Sequence, residues 1–401
     1  MLVIISGIII LFKTRFFVVR KIGIIISSTI GKVRKQKKAF ALMCTSLGGT
    51  IGVGNAVGVA GAIAEGGAGA LFWMAVAGIF STSIKYAEIY LTVYYRGKSD
   101  IKGPFAYIKS VTDGNFFALI YAFLCILVSL GMGNLSQIKA ALSASKDVFP
   151  IHPLCLGIIL TVLFLFTALG GIKKISAFSQ TAVPLFSILY IVLLSIILFK
   201  GRAKLPEVLS DILNSSGIFC GIKWAAIKKG ISCGFSKSVF SSEAGLGSAG
   251  FSHGETDEEP FLQARWGIIE VLTDTVICLM TGLAVICVGN VPDFQSVSLI
   301  TKGVFEINFG TLGGIFYAVS MLFFAFSSVI CWYYIGTSAL SFITKNKKVK
   351  SFYTFIFSLF IALSYFISDR IIIEFSDTAN ALMMLINLPA VMILAKNIKT
   401  N

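Results

Sequence analysis

Two short stretches hold the residues whose types and spacing can do chemistry. Leu47-Gly48-Gly49-Thr50-Ile51-Gly52-Val53-Gly54-Asn55 and Phe240-Ser241-Ser242-Glu243-Ala244-Gly245-Leu246-Gly247-Ser248 each interrupt a long apolar segment with clustered glycine and polar side chains. Gly48, Gly49, Gly52 and Gly54 let the backbone leave helical dihedrals and let a ligand come close to it. A helix unwound at its centre presents two half-helix ends. Freed N–H groups can hold a carboxylate, and freed carbonyl oxygens can ligate a hard cation such as sodium. One stretch can therefore serve a zwitterion and an ion together. Close helix packing is the plainer use of glycine, and it suits Gly58, Gly61, Gly66, Gly67 and Gly69. The cluster at 48–55, with Thr50 and Asn55 in it, exceeds what packing needs.

The elements that position these stretches are membrane helices. The 401 residues are 56% hydrophobic and 13% charged, too little polar surface to coat a soluble globule. Runs long enough to cross about 30 Å of hydrocarbon predict spans near 2–17, 40–64, 69–94, 115–142, 153–170, 176–199, 218–250, 265–289, 311–342, 352–368 and 371–396. The opening run is short, with its basic flank on the wrong side for a signal peptide, and reads as a clipped or tilted first helix. The two interrupted stretches fall in the second and seventh spans. Paired broken helices at matching places in two halves point to an inverted-repeat transporter with its site at the midplane. The expected fold is an all-α integral membrane protein of ten or eleven transmembrane helices. No linker divides it, so one domain is expected over 1–401: an extra first helix and basic cytoplasmic loop at 1–38, and a ten-helix core at 39–401.

The net charge of +15 lies in short segments between apolar runs, which marks cytoplasmic loops rather than a nucleic-acid surface. If the loop holding Lys32, Arg34, Lys35, Lys37 and Lys38 is inside, alternation also puts Arg96, Lys98 and Lys102, Lys173 and Lys174, and Lys345, Lys347, Lys348 and Lys350 inside. Lys200, Arg202 and Lys204 fall outside, as exceptions, and the acidic 253–259 loop falls inside. The eight cysteines lie singly, with no CxxC pair, and read as small buried hydrophobes. His152 and His253 have no metal-ligand spacing, and no nucleophile–base pair suggests an enzyme.

Three segments carry a family resemblance: Gly66-Gly67-Ala68-Gly69-Ala70-Leu71-Phe72-Trp73-Met74, Phe240 to Ser248, and Phe323-Phe324-Ala325-Phe326-Ser327-Ser328 leading to Trp332-Tyr333-Tyr334. On these the chain resembles the alanine or glycine:cation symporter family, of LeuT-like fold, over nearly its whole length. The resemblance implies sodium-coupled symport of a small neutral amino acid across the cytoplasmic membrane, with sodium as coupling ion and no organic cofactor. By that likeness the carbonyls of Gly48 and Ile51 face a sodium ion, which the Phe324 carbonyl and the Ser327 and Ser328 hydroxyls enclose. Hydroxyls with carbonyls suit a small hard cation held without a full negative charge. The N–H groups of Val53 and Gly54 meet the substrate carboxylate, with Thr50, Gly52 and Asn55 close by. Gln137 hydrogen-bonds the substrate, Phe240 and Trp332 supply apolar walls, and Ser241 and Ser242 of the second break complete the substrate site.

Ionisable residues inside lipid are functional candidates by default. Glu243 can receive the substrate ammonium, complete an ion site, or cap a half-helix. Glu88 and Asp274 are expected as interior partners for Lys85 or Lys237. Lys139, two residues past Gln137, stands where the family usually has a small polar amide, and must either snorkel out or oppose a cation. Ser242, Ala75 and Ser81 replace the family's usual Asn, Trp and Gly. These departures leave two rivals: a proton-coupled or sodium-independent transporter, with Lys139 as the discriminating feature, and a transport-dead amino-acid sensor.

Overall fold

The structure, a computed structural model, describes residues 2–97, 101, 103–112, 114–168, 170–217, 224–289 and 297–400. Every regular element among these residues is helical. α1 (Leu2–Lys13), α2 (Phe17–Arg20) and α3 (Ile22–Ile30) precede the first broken span, α4 (Lys37–Thr50) and α5 (Val57–Gly66). Next come α6 (Gly69–Arg96), α7 (Phe105–Thr112), α8 (Phe116–Leu130), α9 (Gln137–Ser145), α10 (Pro153–Ala168) and α11 (Gly171–Lys200). α12 (Leu205–Ser215) leads to the second broken span, α13 (Trp224–Ser242) and α14 (Ala249–His253). α15 (Pro260–Val288), α16 (Val297–Phe309), α17 (Thr311–Ile343), α18 (Lys347–Leu363) and α19 (Asp369–Leu394) follow.

Among the described residues, 7 helical runs are long and apolar enough to cross a membrane, and α4 with α5, bent by 60°, makes an eighth. α1 and α10 are shorter apolar helices. Each expected span coincides with a helix or a broken pair to within a few residues, except the first, which stops at Lys13 rather than 17. There Arg15 and Phe16 take left-handed dihedrals, φ 52° and 54°, and turn the chain out of the helix. Lys98, Lys102, Cys220 and the start of the span expected from 218 lie outside the described residues.

α6 packs along α13 and α15. The approach is close enough that a β-carbon on Gly234 would come within 2.8 Å of Trp73 Cβ, so only glycine fits. Around this bundle α10, α11 and α18 turn Phe166, Ile188 and Phe355 outward. In lipid such apolar exposure carries no penalty, whereas backbone must be satisfied internally. α8 and α9 form one run interrupted by a π-helical turn at Gly131–Ser136. A β-carbon on Gly133 would overlap the Trp332 ring of α17, so the turn seats α8 and α9 directly against that helix.

The charge exceptions have local explanations. Lys38 Nζ lies 2.6 Å from Asp257 Oδ2, and the Gln36 amide donates to Glu258 at 3.3 Å, so the acidic loop faces the basic start of α4. Lys38 holds the Asp257 carboxyl below its ordinary pKa. Lys200 donates to Asn308 O at 2.9 Å and lies over the Phe309 ring, capping α16. Of the cysteines expected to be buried, Cys155 is exposed and Cys233 only partly covered.

Candidate substrate and ion site

α4 stops where the sequence predicts. The Ile51 N–H makes the last helical bond, to Leu47 O at 2.7 Å, and the Thr50 hydroxyl reaches the same carbonyl at 3.1 Å. Gly52 then extends, and its N–H is taken by Thr50 O and Asn55 Oδ1. Any residue can adopt that extended backbone. Glycine leaves room for the Gln137 side-chain amide, which a β-carbon would push off the Val53 N–H. Gln137 Oε1 accepts the Val53 N–H at 3.1 Å, so that N–H, expected at the substrate carboxylate, is engaged by protein. The Gly54 N–H has no hydrogen-bond partner among the described residues, and a β-carbon there would meet open space.

Unwinding also frees carbonyls. Those of Gly48, Gly49 and Ile51 accept no backbone N–H among the described residues. Ser327 Oγ of α17 lies 3.2 Å from Gly48 O and 2.9 Å from Phe324 O. Ser328 Oγ donates to Gly49 O at 3.1 Å, one residue from the expected carbonyl. Gly48, Phe324 and Ser327 therefore converge, Ser328 stands beside them, and Ile51 keeps its carbonyl unpaired. This neutral oxygen set fits sodium, which needs hard donors rather than a formal charge.

The second break is held by carboxylates. Gly245 and Gly247 take φ 99° and 79°, open to glycine, and Glu243 takes φ 52°. Glu88 Oε1 accepts the Gly247 N–H at 2.9 Å and the Asn387 amide at 2.5 Å, and that amide also donates to Gly245 O. Glu243 Oε1 accepts the Trp332 indole N–H at 2.8 Å and Oε2 accepts the Ser248 hydroxyl at 2.5 Å, side-chain donors rather than the half-helix N–H groups that a cap would hold. Asp274 Oδ1 accepts the Asn55 amide at 2.7 Å and the Ser241 hydroxyl at 2.8 Å, joining the two breaks through one oxygen of α15. Neither Glu88 nor Asp274 is the ion-pair partner expected for Lys85. Lys85 Nζ lies 3.0 Å from Glu270, which also lies 3.1 Å from His253 Nε2 and accepts from the Ser46 hydroxyl. Helix rotation decides this pairing, and sequence spacing within one helix does not contain it.

A cavity of about 450 Å³ opens between α5, α9, α13 and α19. Thr50, Val53, Gly54, Gln137, Phe240 and Ser241 line it, with Glu65, Lys139, Lys237, Asp369 and Asp377 also on its wall. Gly52, Asn55, Ser242 and Trp332 are absent from the wall. Ser242 turns back toward Val239 O, and Trp332 is fully buried against Gly133. Lys139 neither snorkels free nor opposes the ion set. Its ammonium donates to Tyr365 O at 2.7 Å and Ile367 O at 2.9 Å, in the turn before α19.

The description of the sodium:alanine symporter family matches residues 1–401. The chain belongs to that family. The sodium/alanine symporter AgcS of Methanococcus maripaludis is 30% identical over 371 residues, 89% of this chain and 81% of the relative. The probable sodium/glutamine symporter GlnT of Bacillus subtilis is 27% identical over 409 residues, 98% of this chain and 84% of the relative. Among solved structures, MhsT in complex with L-phenylalanine superposes with TM-score 0.64 at 15% identity, covering 90% of this chain and 92% of that one. A Na+-coupled sialic acid symporter gives 0.59 at 13% identity, covering 99% and 85%. These likenesses show the LeuT-like fold, with two broken helices, and family and fold together mark a multi-pass membrane transporter. For this symporter family member, sequence reasoning missed the bridge at Asp274 and the Asn387 support of the second break. Asp274 could be flagged as an intramembrane carboxylate, but Asn387 gave no signal.

Proposed function

We propose that the chain couples sodium entry to uptake of a small neutral amino acid, alanine or glycine, across the cell membrane. One observation carries the reading: Gly54, whose N–H has no hydrogen-bond partner among the described residues, lines the cavity, while Gly48 O, freed by the same break, lies 3.2 Å from the Ser327 hydroxyl that also reaches Phe324 O. The N-terminal end of α5 favours a carboxylate, and the C-terminal end of α13, at Phe240 and Ser241, favours an ammonium. A zwitterion fits between two opposed helix ends. Sodium at Gly48, Ile51, Phe324, Ser327 and Ser328 would order the segment that presents Gly54, so ion and amino acid favour one state by differential affinity. Gln137 holds Val53 and shapes the site from α9.

The sodium-independent rival needs a fixed cation in place of the ion. Lys139 is held on the cavity wall by the Tyr365 and Ile367 carbonyls, and this disfavours it for that role. Equilibrium binding of labelled alanine to the purified protein, with and without sodium, tests the proposal. Sodium-dependent binding displaced by glycine is expected. Binding indifferent to sodium would support the rival, and displacement by glutamine but not glycine would move the substrate assignment.

A further inference from the structure

We propose that Ser179 of α11 is a further sodium ligand, on a third side of the ion site where α4 meets α17; this rests on the sodium reading above. α11 packs against both helices. Its Ser176 hydroxyl donates to Ala41 O of α4 at 3.2 Å, and its Phe178 packs on Phe323 and Phe326 of α17. Ser179 sits between these contacts. The side of Gly48 where a β-carbon would stand faces Val183 Cγ2 at 3.1 Å, Ser327 Cβ at 3.3 Å and Ser179 Oγ at 3.6 Å. Ser179 and Ser327 thus flank the same glycine from two different helices.

The Ser179 hydroxyl is fully buried and has no hydrogen-bond partner. A buried helical serine ordinarily satisfies itself on the carbonyl one turn back. Ser145 of α9, also buried, does so with Ala141 O at 2.8 Å. Ser179 leaves that bond unmade, and an unsatisfied buried hydroxyl is destabilising. A cation beside Gly48 and Ser327 relieves this, because the hydroxyl oxygen can ligate it while the proton turns away. Adding Ser179 raises the ligand count without adding charge, in keeping with a neutral site. Ser187 of the same helix is also buried and unpartnered, but lies about 12 Å farther along the axis, away from Gly48. It supplies a control for the generic effect of an orphan hydroxyl.

The test is a calorimetric sodium titration of the purified full chain, repeated with lithium, for wild type, Ser179→Ala, Ser187→Ala and Ser327→Ala. Ser179→Ala should weaken sodium binding roughly tenfold and change the lithium-to-sodium preference, which a packing defect would not do. Ser187→Ala should match wild type. If Ser179→Ala folds poorly, the near-isosteric pair Ser179→Thr and Ser179→Val decides, with binding retained only by threonine. Unchanged binding in Ser179→Ala or Ser179→Val, alongside loss in Ser327→Ala, overturns the proposal and leaves the ion-site reading standing. Unchanged binding in Ser327→Ala removes the ion-site reading itself.

Discussion

At the scale of single residues, the site is shaped as much by what cannot be added as by what is present. Gly52 is fixed by the Gln137 amide, not by its own dihedrals. Gly52→Ala should therefore lower stability by about 1–3 kcal/mol through overpacking. Gly52→Ala with Gln137→Ala should recover part of that loss in thermal unfolding of the detergent-solubilised protein. No recovery would mean that the glycine serves something other than space. Asp274 makes the opposite case, since one oxygen serves two donors from two broken spans. Asp274→Ala leaves Asn55 and Ser241 without that acceptor and should cost about 1–3 kcal/mol per orphaned group. Asp274→Asn keeps an acceptor oxygen and should cost less. The sequence made the glycines at 48–54 legible because a break announces itself in local composition. It did not make the Asp274 bridge legible, because three helices must be docked before the carboxylate has an address.

At the scale of elements, nearly every span was readable from apolar run length, and the exceptions follow from local dihedrals. The first helix ends early at the left-handed pair Arg15 and Phe16, which no hydropathy pattern marks. The family likeness implies Trp332 as a pocket wall, yet the π-helical turn between α8 and α9 brings Gly133 onto its ring and the second break brings Glu243 to its indole nitrogen. Lys139 was readable only as an anomaly. The turn before α19 explains it, because two carbonyls there need a donor and α9 supplies the ammonium. Lys139→Met should speed hydrogen exchange at residues 364–370 and leave sodium affinity unchanged. A loss of sodium affinity would instead make Lys139 part of the ion chemistry.

At the scale of the whole molecule, buried charge ties one half of each broken span, α4 and α14, to one body. Glu270 of α15 meets Lys85 of α6, His253 of α14 and Ser46 of α4, and both members of the Lys85–Glu270 pair are fully buried. Removing one partner of such a pair leaves an uncompensated charge, so Glu270→Ala should destabilise by about 3–5 kcal/mol. Replacing both with methionine should cost less than either single change, as read by thermal unfolding. The account stands most directly on reconstituted transport. Liposomes containing the protein should accumulate labelled alanine above the external concentration under an inward sodium gradient, and lose that accumulation with potassium or in a Ser327→Ala, Ser328→Ala double variant. Accumulation that persists without sodium, or in the double variant, would contradict it.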